Sequence, residues 1–254
     1  MTTVIKLGGR IQTDPALITA LVARWSDDPG SVCIVHGGGD EISTLQRRLS
    51  IEPKFVNGRR MTTEEDLELV RMVLSGSANK RLVAAFCAAG VAAVGISGED
   101  GGLLFAEPID ARLFGRAGKP AEVNPKVIEI LLEGGFLPVV SPVGIDRSSS
   151  RGDALNVNGD DAAAAIAAAL GADLLLVADV AGVMDANRTL IRSIDNRQVE
   201  GLVATDTVNK GMRAKLEAGF SALAAGAVSA RIAGLEAITD QHAGTSLTLI
   251  PGKT

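Results

Sequence analysis

The chain predicts an α/β fold: a mainly parallel sheet with helices on both faces. Three observations carry this. Strand-like and helix-like stretches alternate along nearly the whole chain. The strand-like stretches are almost continuously apolar, as in Val32-Cys33-Ile34-Val35 and Leu174-Leu175-Leu176-Val177, which suits strands covered on both faces. Glycines and charged residues gather just past the carboxyl ends of those strands, where ligands bind in such sheets.

Taken in order, Val4-Ile5-Lys6-Leu7 is the first strand. A helical pattern covers residues 15–25, with Asp14 as its N-cap and Pro15 at the first helical position. Strand 32–35 precedes an amphipathic stretch over 41–49. Residues 64–74 and 80–89 read as two helices, the first capped by Thr62 or Thr63, with Ser75-Gly76-Ser77-Ala78 as the break between them. Asn79 either caps the second helix or reaches the cleft. Residues 92–96 form a strand, 98–102 a turn, and 103–118 irregular β structure. A helix over 125–132 and a strand over 137–140 follow. The polar, serine-rich stretch 146–153 reads as a mobile loop or lid edge. Helix 161–170, strand 174–177, helix 212–225 and strand 228–232 complete the alternation.

Composition narrows the function classes. With 254 residues and 46% apolar content the chain buries a full core. A net charge of −5 without a basic run argues against nucleic acid as a partner. The longest apolar run, residues 162–170, is too short to span a bilayer, and no signal peptide is recognisable. Cys33 and Cys87 lie in apolar stretches and read as reduced core residues of a cytoplasmic protein.

Chemistry concentrates in a few places. Lys6-Leu7-Gly8-Gly9 and His36-Gly37-Gly38-Gly39 each end a strand in glycines whose backbone N–H groups can approach an anion. Neither fits a Walker A loop or a dinucleotide fingerprint. His36 reads as a strand-end residue bonded to backbone rather than a general base. In Asn156-Val157-Asn158-Gly159-Asp160, an extended segment points Asn156, Asn158 and Asp160 the same way, more polar groups than one N-cap requires. A carboxylate here can also hold two lysines between phosphates. Asn57-Gly58-Arg59-Arg60 places two guanidinium groups at a turn, either solvated or clamping a carboxylate. Lys215, in Gly211-Met212-Arg213-Ala214-Lys215, begins a helix. Two ammonium groups and glycine N–H groups suit a transferring phosphoryl group, whose charge spreads over three oxygens.

In this order the motifs resemble the amino-acid kinase family over nearly the whole chain, with Asn79-Lys80 and Asp179-Val180-Ala181-Gly182-Val183 adding to the match. The match is to members that phosphorylate the side-chain carboxylate of N-acetyl-L-glutamate in arginine biosynthesis. The resemblance implies a three-layer α/β/α sandwich of two lobes. Residues 1–171 would bind the acylated amino acid and dimerise, and residues 172–254 would bind ATP, with Mg²⁺ held mainly by the nucleotide. It implies that Lys6 and Lys215 stabilise the transferring group and that Asp160 orients both. Gly8, Gly9 and Gly38 would donate N–H groups to phosphate oxygens. Gly38, Gly39, Arg60 and Asn156 would hold the acceptor, with Arg60 on its α-carboxylate. Asp179, Val180, Ala181, Gly182, Val183 and Met184, with Thr207, Val208 and Asn209, would line the nucleotide pocket. With Met1-Thr2-Thr3 ahead of the first strand, the resemblance further implies a homodimer that free arginine does not inhibit.

Arg59, Lys210 and Arg213 depart from the family pattern. They keep open a kinase of carrier-protein-linked aminoadipate or of another acylated glutamate. From another class, a non-catalytic nucleotide or amino-acid sensor fits the same fold, but a sensor has no use for both lysines and Asp160. The expected reaction is in-line transfer from ATP to a carboxylate already ionised at neutral pH, which requires no general base.

Overall fold

Strand β1 (Thr3–Leu7) alternates in the way a central strand must: Ile5 and Leu7 join one apolar cluster, Val4 the other, and Lys6 shares the side of Val4. The computed structural model describes residues 1–56, 58–204 and 208–250. After β1 a 3₁₀ turn over Arg10–Thr13 leads to α1 (Ala16–Asp27), where Asp14 Oδ1 accepts the Ala16 N–H at 2.8 Å. The expected cap at Asp14 is therefore present. Next come β2 (Val32–His36), α2 (Gly39–Arg48) and a short antiparallel hairpin of β3 (Phe55–Val56) and β4 (Arg59–Arg60).

Helix α3 (Glu64–Arg71) starts at a full capping box, in which the Thr63 hydroxyl accepts from Asp66 N–H and the Asp66 carboxylate accepts from Thr63 N–H. The expected break over 75–78 is not a break. A π-helix (Met72–Ala78) joins α3 to α4 (Asn79–Ala88), so Asn79 caps nothing. The small residues Ser75, Gly76, Ser77 and Ala78 suit the wider turn.

Strand β5 (Ala93–Ser97) precedes β6 (Leu104–Pro108), the one-turn α5 (Ala111–Phe114) and β7 (Ala117–Val123). Then follow α6 (Lys126–Glu133), β8 (Leu137–Ser141), β9 (Val143–Asp146) and β10 (Ala154–Val157). The serine-rich stretch is the turn between β9 and β10, with Ser148 Oγ on Asp146 at 2.6 Å and Ser149 Oγ on Asp153 at 2.8 Å. Helix α7 (Gly159–Ala169) begins two residues before the expected start, because Asn158 and not Asp160 is its N-cap. Asp160 thus lies in the first turn. Strands β11 (Asp173–Val177) and β12 (Ser193–Asp195), helices α8 (Val199–Ala204) and α9 (Lys210–Ala225), and strands β13 (Ser229–Ala233) and β14 (Thr245–Thr248) close the chain.

Among the described residues eight strands form one sheet in the order β12-β14-β13-β11-β1-β2-β8-β5, parallel except where β13 meets β14. Chain order reverses around β1, so the carboxyl ends of β11, β1 and β2 lie side by side at a topological switch point. On one face α1 and α4 pack through Leu17, Leu21, Trp25, Leu82 and Phe86. The other face carries α6, α7 and α9 through Ile128, Ile166 and Leu216. The irregular β region is in fact a closed four-stranded barrel of β10, β7, β6 and β9, set beside the sheet. Cys33 is buried, and burial pushes its thiol up to about 12. Cys87 is exposed, which corrects its reading as a core residue. Among the described residues no helix is long and apolar enough to cross a membrane.

Candidate active site

The side of β1 that buries Val4 also points Lys6 at the start of α7, and Lys6 Nζ lies 2.8 Å from Asp160 Oδ1. Lys215, in the second turn of α9, approaches the same carboxylate, 3.0 Å from Oδ1 and 3.1 Å from Oδ2. The sequence-distant pair of lysines therefore converges on one buried aspartate. Burial alone would raise the Asp160 carboxyl, but Lys6 and Lys215 outweigh it and hold the group at about 2. Its place in the first turn of α7 adds the favourable end of the helix dipole. For Lys215, burial and then the neighbouring Lys6 push the ammonium down to about 8, against the pull of Asp160. Gly159 is what lets Lys6 lie against α7, since a Cβ there would stand 3.2 Å from Lys6 Cε.

Two cavities meet at this triad, and a third adjoins the second. The first, about 230 Å³, is lined by Lys6, Asp160, Asn156, Arg59 and Arg60 and by Gly9, Gly38 and Gly39. A second, about 310 Å³, is lined by Lys215, Gly8, Asp179 and again Gly9 and Gly39. A third, about 480 Å³, shares Ile11, Ala178 and Asp179 with the second and adds Val180, Ala181 and Gly234. The glycines common to the first two cavities sit where they join, with one lysine on each side. Such a run of cavities suits an elongated pair of ligands that meet at the triad.

On the first cavity's wall, Arg60 is buried and held from several directions. Its Nη2 donates to Gly39 O and Ser43 Oγ, each at 2.8 Å, its Nη1 bonds to Gln46 Oε1, and its guanidinium stacks 4.7 Å from the Phe55 ring centre. Gln46 in turn donates to Asp66 Oδ1 at 2.6 Å. Gly39, Ser43 and Gln46 recur at helical spacing on α2, a signal in the sequence that would have found the two side chains reasoning missed. Arg59 turns instead to Asp161, at 2.9 Å, tying the hairpin to α7. Asn156 donates to Thr62 Oγ1 at 3.0 Å.

His36 is fully buried on the opposite face, and burial holds its imidazole down at about 4. Its Nδ1 meets Gly37 O at 3.0 Å and its Nε2 faces Asn79 Nδ2 at 3.1 Å, so it serves the backbone, as expected, and Asn79 supports it. Arg213 leaves the cleft and pairs with Glu217 at 2.7 Å on the surface.

At the nucleotide end the expected residues divide. Asp179, Val180 and Ala181 line cavities. Val183 is buried in the core and donates its N–H to Thr245 Oγ1 at 2.8 Å, while Met184 bridges to Leu190. Gly182, at φ 150°, is closed in by Leu190 and Thr245. Val208 is buried, and Asn209 caps α9 through Met212 N–H at 2.9 Å. Neither lines the three cavities. Thr207 and Asn57 lie outside the described residues.

Comparison with known proteins agrees with this arrangement. The amino acid kinase family model matches residues 1–234. Acetylglutamate kinase of Geobacillus kaustophilus is 43% identical over 87% of this chain and 85% of its own. Acetylglutamate kinase of Methanoculleus marisnigri is 39% identical over 98% of this chain and 93% of its own. Among solved structures, smu.665 of Streptococcus mutans superposes with a TM-score of 0.85 at 30% identity, covering 97% of this chain and 98% of that one. The chain belongs to the amino acid kinase family.

Proposed function

We propose that this amino acid kinase transfers a phosphoryl group from ATP to the side-chain carboxylate of N-acetyl-L-glutamate, as the curated relatives' name describes. The observation that carries the reading is Asp160 held between Lys6 and Lys215 where two cavities join. Both reactants are anions, so catalysis is a matter of charge neutralisation and alignment. Lys6 and Lys215 supply the cations, and Asp160 keeps them apart and aimed. The N–H groups of Gly8, Gly9 and Gly38 take phosphate oxygens. His36 is neutral above about pH 4 and deep in backbone bonds, which suits a reaction that requires no base.

The donor set fits a polyphosphate: glycine backbone and the Lys215 ammonium line the second cavity, whose wall also carries Asp40 and Asp179. ATP brings the phosphoryl group, and Mg²⁺ on its phosphates neutralises part of their charge. Mg²⁺ is read as arriving with the nucleotide, held mainly by its phosphates. The acceptor takes the first cavity, with Arg60 on its α-carboxylate and Gly38, Gly39 and Asn156 around it. Arg60 is already aligned by Gln46, Ser43 and Gly39, which limits the ordering lost on binding.

The division into an acceptor lobe (1–171) and a nucleotide lobe (172–254), a cytoplasmic setting and a homodimer belong to the same reading. For the dimer, exposed Phe136 adjoins Leu137, which pairs with Ala93 of the sheet's terminal strand. Light scattering that finds only monomer removes that part. The activity is tested by ADP release with acetylglutamate, glutamate, aspartate and aminoadipate as acceptors. Acetylglutamate is expected to be preferred by a wide margin. Preference for aminoadipate, or no release with any acceptor, overturns the assignment.

A further inference from the structure

Beyond the last paired residues of β1 and β2, one side chain spans both glycine loops. Gln12 Nε2 donates to Gly37 O at 2.9 Å and to Gly8 O at 3.4 Å. Gly37 O also meets His36 Nδ1 at 3.0 Å. Asn79 Nδ2 faces His36 Nε2 and donates to Val139 O at 2.8 Å, so it is the amide NH₂ and His36 Nε2 accepts. The neutral imidazole therefore carries its proton on Nδ1 and donates to Gly37 O. Two side chains thus fix this one carbonyl.

Among the described residues no peptide bond is cis, so in each peptide plane the N–H points opposite to the C=O. The Gly8 carbonyl shares its plane with the Gly9 N–H, and the Gly37 carbonyl shares its plane with the Gly38 N–H. Holding both oxygens on the Gln12 amide turns both N–H groups away from it. Gly9 and Gly38 line the first cavity, and Gly9 lines the second as well.

We infer that Gln12 is a positioning residue for phosphoryl transfer, locking the direction of the two glycine peptides whose N–H groups receive phosphate oxygens. The inference rests on the reading of the cleft proposed above. A second observation supports it. Gln12 Oε1 is buried with no hydrogen-bond partner among the described residues. Turning the amide over would set that oxygen against two carbonyls, so the unpaired acceptor is the cost of the orientation.

Two variants test this. Gln12→Met fills a similar volume and donates nothing. It should fold with a melting temperature near the parent's and lose roughly 10- to 100-fold in kcat, with acceptor KM changed by at most about 3-fold. Gln12→Glu repels both carbonyls when ionised but donates to Gly37 O when protonated. Its kcat relative to the parent's should climb as pH drops from about 8 to about 5.5, a slope absent from Gln12→Met. A Met variant with the parent's kcat overturns the inference, as does a Glu variant with a flat relative profile. If Gln12→Met does not fold, the Glu profile decides alone. If the parent itself phosphorylates no acceptor, the functional reading fails separately, and Gln12 is judged by binding. Gln12→Met should then lose affinity for AMP-PNP and keep it for adenosine, and equal affinities overturn the role.

Discussion

At the scale of single residues, the chemistry turns on how two lysines share one carboxylate. Lys215 has its ordinary 10.5 drawn down to about 8 by burial and by Lys6. Only its charged form can meet the charge that develops during transfer, so kcat/KM is expected to fall as pH rises through about 8. In Lys215→Arg that alkaline limb should vanish, because a guanidinium stays charged; a pH series on both proteins checks it. Lys215→Ala should lose about 2.7–4 kcal/mol of transition-state stabilisation, by analogy with oxyanion donors, with acetylglutamate KM little changed. A kcat within a few-fold of the parent would assign the role elsewhere. The two arginines separate in the same way. Arg60→Ala should raise the acceptor KM strongly and leave the ATP KM nearly unchanged, whereas Arg59→Ala, whose partner is Asp161, should move the acceptor KM less. Steady-state kinetics on both variants tests the choice of Arg60. These side chains stood out in the sequence because ammonium, guanidinium and carboxylate groups lie beside glycine turns, but their roles came from the resemblance, since the arginine pair alone reads as well as solvated surface. Gln12 did not stand out, because an amide on a helical turn looks like ordinary surface until its distant partners are known, whereas Ser43 and Gln46 left only the helical spacing with Gly39 as a trace.

At the scale of elements, the start of α7 shows how residues expected on one face can line one cavity although the local structure differs from the expected one. Alternation over Asn156, Asn158 and Asp160 predicts one extended face. In the structure the strand ends at Val157, Asn158 caps, and Asp160 is helical. All three still line one cavity, because the cap turns the chain without rotating Asp160 away from Lys6. Gly159 makes this joint sensitive. Gly159→Ala favours the helix by roughly 0.5–1 kcal/mol yet sets a methyl group 3.2 Å from Lys6 Cε. Stability should hold or rise while kcat falls by roughly several-fold, since a small misplacement of a catalytic group is costly. Parallel melting and turnover measurements check the divergence, and an equal loss of both would contradict it. The π-helix was not legible for a related reason. Its small residues resemble a loop, but the wider turn keeps the chain helical. Within it Ser75 reaches Ser141 at 2.8 Å, and just past it Asn79 reaches His36. Of the barrel, β6 and the start of β7 showed only as irregular β structure and the closure with β9 and β10 escaped, because closing it takes long-range pairs such as β6 with β9 and because β6 carries a register shift between Phe105 and Ala106.

At the scale of the whole molecule, Asp160 and Lys215 join parts of the chain 55 residues apart across the cleft, so the triad is structural as well as chemical. The strand-end rule located the site because β11, β1 and β2 lie side by side; the strand order that makes them neighbours is not written in any local pattern. The folded-state pKa of Asp160, about 2, lies below its ordinary 3.8. Its contribution, ~2 kcal/mol, is therefore fully present above pH 3.8 and lost as pH falls through about 2. Replacing the carboxylate goes further, because Asp160→Asn leaves two buried ammonium groups with no counter-charge. Removing one partner of a buried ion pair costs roughly 3–5 kcal/mol, which for a chain of this size lowers the melting temperature by about 6–12 °C. ATP phosphates would restore negative charge at the same place if the lysines face them. The gap in melting temperature between the parent and Asp160→Asn should therefore narrow when saturating MgATP is added, while adenosine leaves it wide. Differential scanning calorimetry with the two ligands measures both gaps. A gap that MgATP does not narrow would mean that the lysines face something other than the nucleotide's phosphates, and the assignment of the second cavity would fall with it.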